Sequence, residues 1–366
     1  MPKKVKLSFC IAVYNQKELV EKCVESIVEY HGNDVEIIIS DDNSIEEFIY
    51  ILDKFKDDRI KYYKNSNNVG HDRNILQAIK YAEGEYVCIL RSRDRIYAGA
   101  IPEIIDILNK NECAYMVTSS FNEKGTVNLD FRDKVYTRGK KALDAHFKLF
   151  VHPSGNIYKR KYIDIELLNH FLNDEHVSKL GFIVHNLIRI SLAEKGDFIT
   201  SSVKGWIYTT TENSKDFAVN CDKNKKSIYA SEYVIQRFIW ESHWNLKNTS
   251  EKYKIDVIFS LIRFYLFQIT WNMKLSNENV KLRRHYNYEK AKVSVLDEQK
   301  KFKKVCIQCL EKEYGLNINT YETILNHIFK DNVTKGACKF LIMKTMEGST
   351  LYVVVSNLYK KYIRGL

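Results

Sequence analysis

Four short apolar segments, each followed by a stretch of helical spacing, fill the chain up to Lys110 and restrict it to a few folds. Leu7–Val13 is nearly continuous in apolar side chains, as befits a strand buried on both faces of a parallel sheet. Glu18–Tyr30 then places Leu19, Cys23, Ile27 and Val28 on one helical face. A strand at Val35–Ile39, a helix reaching Phe55, a strand at Arg59–Tyr63 and a helix over Asn74–Ala82 follow. A strand at Tyr86–Leu90 and a helix over Ala100–Lys110 continue the alternation. The pattern predicts an α/β fold with a mainly parallel, Rossmann-like sheet covered on both faces. Ligands of such open sheets gather outside the carboxyl ends of the strands. Here those ends carry Tyr14 and Asn15, Asp41 and Asp42, and the run Arg91 to Asp94, which predicts one site along that edge.

From Cys113 the pattern loosens into shorter strands, among them Thr126–Phe131 and one near Trp206–Tyr208, with helical stretches around Phe182–Lys195. After about residue 220 the chain reads as helices almost throughout. Ile255–Trp271 is strongly apolar, but it holds Asp256, Arg263 and Gln268 and is shorter than the roughly 20 residues a membrane span needs. It reads as a core helix. Leu351–Val355 with Tyr359–Arg364 fits either packing into the helical region or an amphipathic foot on a membrane.

The 366 residues are enough for a large α/β domain and a smaller second unit, and 45% hydrophobic with 13% aromatic residues excludes a disordered chain. Three prolines leave no Pro-rich linker. Charge is unevenly placed: residues 1–220 carry 31 Lys and Arg against 32 Asp and Glu, whereas 221–366 carry 26 against 14, a net of +12. A basic module beside a near-neutral one suits an anionic surface, such as acidic lipid or a lipid-linked phosphate, or is simply a well-solvated helical surface. No nucleic-acid-binding motif accompanies the charge, so nucleic acid is not an expected partner. The N-terminus runs from Met1 straight into a strand-like segment with no apolar signal core, so a cytoplasmic location is expected. The eight cysteines fit reduced core thiols; Cys306 and Cys309 have the spacing of half a zinc site, but no second pair matches them.

The strand-end residues fall into a telling order: Val13-Tyr14-Asn15, then Ile39 to Ser44 with Asp41 and Asp42 at its centre, Asn68-Val69-Gly70 with Asn74, and Gly84-Glu85-Tyr86 leading into a strand and Asp94. Residues 5 to about 215 resemble the inverting family 2 glycosyltransferases of the GT-A fold. The resemblance implies a GT-A nucleotide-diphospho-sugar transferase fold and a nucleotide-sugar donor, with a mostly helical C-terminal domain outside it. It implies that Asp41 accepts a hydrogen bond from the base imide, which favours a UDP-sugar, with Asp42, Val13 and Asn15 beside it. Asn68 and Gly70 would form a tight loop facing the nucleotide, and Asp72 and Asn74 would open a helix whose N-terminus suits an anion. Helix capping accounts for the Asp41–Ser44 turn and for Asp72 equally well by residue type.

Family members usually end the next strand with Leu-Asp-x-Asp-Asp, whose carboxylates hold ribose and a divalent cation. This chain has Leu90-Arg91-Ser92-Arg93-Asp94-Arg95. Hard cations want several oxygen ligands, so Asp94 alone is a poor Mg²⁺ or Mn²⁺ ligand set. Either Arg91 and Arg93 hold the diphosphate through guanidinium hydrogen bonds, with Ser92 and Asp94 beside them in the donor site, making transfer metal-independent, or the chain is a non-catalytic binding or scaffolding partner built on the same skeleton.

Inversion needs a general base for the acceptor hydroxyl. The family's acidic pair, about eleven residues before a helix-ending Gly, is absent; counting back from Gly196 reaches His185. Histidine suits the task near neutral pH, and Asp174 and Glu175 are the alternatives. Ser154, Gly155 and Asn156 would line the acceptor pocket, with Trp206 as a flat face for a sugar ring. The division expected is a GT-A domain over residues 1–218 and a basic helical domain over 219–366. The acceptor would be a surface polysaccharide, glycolipid or glycoprotein. Peripheral contact with the inner face of an anionic membrane, and a homodimer through the helical domain, complete the expectation.

Overall fold

The computed structural model describes residues 5–97, 99–149, 154–174, 177, 184–209, 231–278 and 295–330. Its contacts divide the chain into two units, Met1–Thr210 and Thr211–Leu366.

The first unit is built on one sheet. Its strands are β1 (Leu7–Val13), β2 (Val35–Asp41), β3 (Ile60–Lys64), β4 (Tyr86–Arg91), β5 (Arg95–Ile96), β6 (Cys113–Asn122), β7 (Val127–Leu129), β8 (Lys134–Tyr136), β9 (Asn156–Lys159) and β10 (Asp197–Tyr208). Along the sheet they run β3-β2-β1-β4-β9-β6-β10-β5, with β7 beside β6 and β8 beside β10. The long ladders β1–β2, β2–β3, β1–β4 and β6–β10 are parallel, and β9 lies antiparallel between β4 and β6. The helices are α1 (Lys17–Val28), α2 (Tyr50–Phe55), α3 (His71–Tyr81), α4 (Ala100–Lys110), α5 (Lys140–Lys148), α6 (Ile165–Leu172) and α7 (Val184–Leu192).

The apolar runs become β1, β2 and β4 because burial on both sheet faces repays an unbroken Val/Ile/Leu/Phe sequence. Phe9, Ile11, Ile37, Ile39, Tyr86 and Leu90 form the centre of the core, where truncation to Ala costs about 2–5 kcal/mol. The buried stripe of α1 is Val20, Cys23, Val24 and Ile27, so the predicted face is turned slightly: Leu19 and Val28 lie at its partly buried margin. Strands β6 and β10 are much longer than their sequences suggest. Thr118, Ser119, Ser120, Thr200 and Ser201 are buried within them, and Ser119 Oγ donates to the Ser201 carbonyl at 3.4 Å. The hydroxyls of Thr200 and Ser201 donate to the Arg132 carbonyl and to Asp133, so these polar residues interrupt the apolar pattern without ending the strand.

Register sets the site. Val13 lies opposite Asp41 across β1–β2, and Ala12 lies opposite Arg91 across β1–β4. Three neighbouring strands therefore end level with one another.

The second unit contains α8 (Ser231–Asn248), α9 (Glu251–Glu278) and α10 (Val295–Gln308), which passes into a π-helical turn at Cys309–Glu313. A further helix covers 318–330. Phe238 meets Phe302 edge-on at 5.0 Å between ring centroids and Tyr265 at 5.9 Å. Val257, Leu261, Ile262 and Leu266 of α9 are buried, so its apolar stretch serves as core. No helix of the described residues is long and apolar enough to cross a membrane. Cys306 and Cys309 are buried free thiols. The segment 351–364 lies outside the described residues.

Candidate active site

The loops leaving β1 and β2 are stitched together by short polar side chains. The Asn15 N–H donates to Ser44 Oγ at 2.8 Å, and Asn15 Oδ1 accepts the Ile45 N–H at 3.2 Å. Asn15, Gln16 and Asn43 take left-handed backbone conformations, which Asn tolerates better than most residues. Asp41 is fully buried; its Oδ1 accepts the Ser44 N–H at 2.9 Å and its Oδ2 accepts the Tyr62 hydroxyl at 2.7 Å. Asp42 reaches the other way. It accepts the N–H groups of Val69 and Gly70 at 2.7 and 2.9 Å and the Asn65 amide at 3.2 Å.

Gly70, at φ 88°, starts α3, and Asn68 Oδ1 accepts its N–H at 3.2 Å. Asn74, one turn in, is a staple. Its Nδ2 donates to the carbonyls of Val13 and Ser40 at 3.3 and 2.9 Å, and its Oδ1 accepts from Ser40 Oγ at 2.7 Å. The amide side chain thus ties the ends of β1 and β2 from the interior. Asp72 is buried beside it in the first turn, with Oδ1 3.0 Å from His71 Nδ1 and Oδ2 accepting the Val184 N–H at 3.4 Å.

At the end of β4, Arg91 to Asp94 form a tight turn in which the Asp94 N–H donates to the Arg91 carbonyl at 3.0 Å. The turn folds Asp94 back under its own arginine. Arg91 Nε and Nη2 donate to the two Asp94 oxygens at 2.8 and 2.9 Å, and the guanidinium stacks 4.8 Å from the Tyr208 ring. Asp94 also accepts from Ser154 Oγ and, at 3.1 Å, from the Thr209 N–H. Ser154 Oγ in turn accepts the Arg91 N–H at 3.0 Å. Ser92 and Arg93, at the tip of the turn, are half-buried.

His185, in α7, is brought to the same region. Its ring centroid lies 6.4 Å from that of His71, and its Nδ1 is buried with no hydrogen-bond partner among the described residues. Burial, then the charge of His71, pushes its pKa down to about 3; Asp72 opposes the shift, and Arg189 and Arg91 add to it. At neutral pH it is an uncharged imidazole. Asp174 is exposed just beyond α6, and Glu175 lies outside the described residues.

Two expectations for the acceptor side need correction. Trp206 is only 2% exposed and packs edge-on to Phe9 in the core, so its ring offers no face to a sugar. Asn156 is buried within β9, where its Oδ1 accepts the Tyr115 hydroxyl at 2.5 Å. Gly155 is required by this packing: a Cβ there would collide with the Trp206 indole, and its φ is 83°. Ser154 belongs to the arginine turn through Asp94.

Residues 8–165 match the model of glycosyl transferase family 2. The GalNAc(5)-diNAcBac-PP-undecaprenol beta-1,3-glucosyltransferase of Campylobacter jejuni is 24% identical over 254 residues, 64% of this chain and 82% of that enzyme. Residues 8–165 thus carry the likeness to glycosyl transferase family 2. The UDP-Glc:alpha-D-GlcNAc-diphosphoundecaprenol beta-1,3-glucosyltransferase WfaP of Escherichia coli is 31% identical over 121 residues. That match covers 33% of this chain and about half, 48%, of WfaP. Among solved structures, S. aureus TarS 1–349 in complex with UDP-GlcNAc shares the fold, with a TM-score of 0.57 at 14% identity over 90% of this chain and 89% of that one.

A divalent cation does not fit this site as it is built. Among the described residues no group of three or more His, Cys, Asp or Glu is placed to hold a metal ion. Both oxygens of Asp94 already accept from Arg91, Ser154 and Thr209. Several partners here escaped sequence reasoning: Tyr62 on Asp41, Asn65 on Asp42, His71 beside His185, and Thr209 on Asp94. None carries a local signal, because each is brought in by another element.

Proposed function

We propose that this glycosyltransferase moves a sugar from a UDP-sugar to a surface glycan, with inversion at the anomeric carbon. The observation that carries the reading is the level ending of β1, β2 and β4, which gathers Val13, Asn15, Asp41, Asp42 and the Arg91–Asp94 turn along one edge. The UDP-GlcNAc bound by TarS and the UDP-Glc in the name of WfaP support uridine as the nucleotide. Asp41 reads the base; Asp42 and Asn74 act by holding the Asn68–Gly70 loop and the strand ends beside it. Asp72 keeps the first turn of α3 in place, leaving its N-terminus toward the diphosphate.

In the reaction the acceptor hydroxyl oxygen attacks the anomeric carbon while the bond to the β-phosphate oxygen breaks. UDP leaves with that electron pair, and the hydroxyl proton passes to a base. His185 is the proposed base by its place beside His71 and Asp72, although the burial that lowers its pKa to about 3 makes its imidazole a weak base; Asp174 and Glu175 are the alternatives. Both relatives named above act on diphosphoundecaprenol-linked acceptors, so the acceptor proposed here is a lipid-linked glycan. The GT-A domain, residues 1–218, performs transfer. The basic domain, 219–366, holds the enzyme to the anionic cytoplasmic face of the membrane where such an acceptor is anchored.

Calorimetric titration with UDP, GDP, CDP and dTDP, followed by sugar-release assays over the matching nucleotide sugars, tests the reading. Tight binding of UDP and turnover of one UDP-sugar is the expected result. Selective binding of another nucleotide would refute the role given to Asp41. His185→Gln should lower kcat by about 10²–10⁴-fold with donor binding retained, whereas an unchanged kcat would move the base to Asp174 or Glu175.

A further inference from the structure

We propose that Arg91, locked onto Asp94, is a built-in cation that stands where a divalent metal would meet the donor diphosphate, so that this chain binds and turns over its donor without metal. The inference rests on the UDP-sugar reading above and deepens it. Sequence alone left Arg91 and Arg93 equivalent and Asp94 as a residual metal ligand; the geometry separates their roles.

Asp94 is at the bottom of the site and fully buried. Four hydrogen bonds converge on its carboxylate, from Arg91 Nε and Nη2, Ser154 Oγ and the Thr209 N–H. A metal entering there would have to displace the guanidinium and push against its charge. Arg91 is correspondingly fixed. One edge of its fork is held by Asp94, its plane lies over Tyr208, and its side chain keeps 18% of its surface exposed. A guanidinium so held loses little conformational freedom when it binds a phosphate, which favours Arg over a mobile Lys. Within the turn itself the formal charges of Arg91, Arg93 and Asp94 sum to +1, the same as one carboxylate carrying a divalent cation. The charge that develops on the β-phosphate oxygen as the C1–O bond breaks is met by N–H donors in place of a metal.

The test is UDP affinity by calorimetry, in excess EDTA and in added Mn²⁺, on the full chain and on two variants. The wild type should bind UDP equally in both buffers, within about twofold. Arg91→Asp combined with Arg93→Asp restores carboxylates beside Asp94. It should lose about tenfold or more in EDTA and regain affinity with Mn²⁺. Arg91→Lys keeps the charge without the fork and should weaken UDP about fivefold or more in both buffers. Melting curves report whether each variant folds; if the double variant does not, Arg91→Lys carries the test, and unchanged affinity in that variant refutes the inference. Wild-type binding that vanishes in EDTA and returns with Mn²⁺ overturns the inference alone. No UDP binding in either buffer overturns the donor reading, and the inference with it.

Discussion

The carboxylate of Asp42 holds Gly70 in place: its Oδ2 accepts the Gly70 N–H at 2.9 Å, while Oδ1 accepts the neighbouring Val69 N–H at 2.7 Å. One buried side chain from the end of β2 thereby sets the entry to α3. Asp42→Asn would turn an amide NH₂ toward one of these N–H donors. We expect a loss of about 1–3 kcal/mol in stability by urea unfolding, with weaker UDP binding in the fraction that remains folded. Unaltered unfolding would mean the loop is held by other groups.

Asp41 raises a different question, because a residue proposed to read the base is also a structural acceptor for Ser44 and Tyr62. Asp41→Ala strands both donors and should cost about 1–3 kcal/mol, so loss of UDP binding in that variant would be ambiguous. Asp41→Asn keeps an acceptor oxygen and is the cleaner probe. UDP affinity should fall about tenfold or more with the protein folded. Tyr62→Phe serves as control and should cost no more than about 1.5 kcal/mol. Wild-type UDP affinity in a folded Asp41→Asn would place the base elsewhere.

Gly155 and Trp206 test the core assignment. Gly155→Ala adds a Cβ that collides with the indole and forces a side chain onto a left-handed backbone, so it should lower stability by about 1–3 kcal/mol. Trp206→Ala should cost about 3–5 kcal/mol, as a buried aromatic does. A Trp206→Ala protein of normal stability and impaired acceptor affinity would reinstate the sugar platform.

His185 gives stability a pH dependence of definite sign. Its folded pKa is lowered to about 3, mainly by burial, while the unfolded chain takes up a proton near 6.5. Between those values the unfolded state binds more protons, so stability is full above about pH 6.5 and falls as pH drops toward 3. At pH 5 the loss from this group is about 2 kcal/mol. Buried His146, also shifted downward by desolvation first and Arg189 second, adds in the same direction. Urea unfolding from pH 7.5 to 5 should show this slope, reduced in His185→Gln; an identical slope in the variant would contradict the burial of His185.

Much of the edge that carries the candidate site could be read locally. The runs at Leu7–Val13, Val35–Ile39 and Tyr86–Leu90 signal buried strands by composition alone, and the polar residues that stop them mark where a parallel sheet presents ligands. The outer half of the sheet could not be read this way. In β6 and β10 the buried Ser and Thr look like loop residues, and partners such as the Ser201 carbonyl for Ser119 and Asp133 for Ser201 come from elsewhere in the chain. The equivalence of Arg91 and Arg93 had the same cause, since a linear chain does not show which guanidinium the turn will fold onto Asp94.

The alternation of strand and helix, the edge at which the polar residues collect, and the arginines in place of the expected carboxylates are all written in the linear chain. Tertiary structure decided what each side chain faces. Ser154 reaches Asp94 across 60 residues of chain and Thr209 across 115, and Trp206 finds Phe9 and Gly155 in the core. Periodicity is a property of neighbours in the chain, whereas burial and hydrogen bonding belong to neighbours in space. Sheet register and turn geometry are what convert the first into the second.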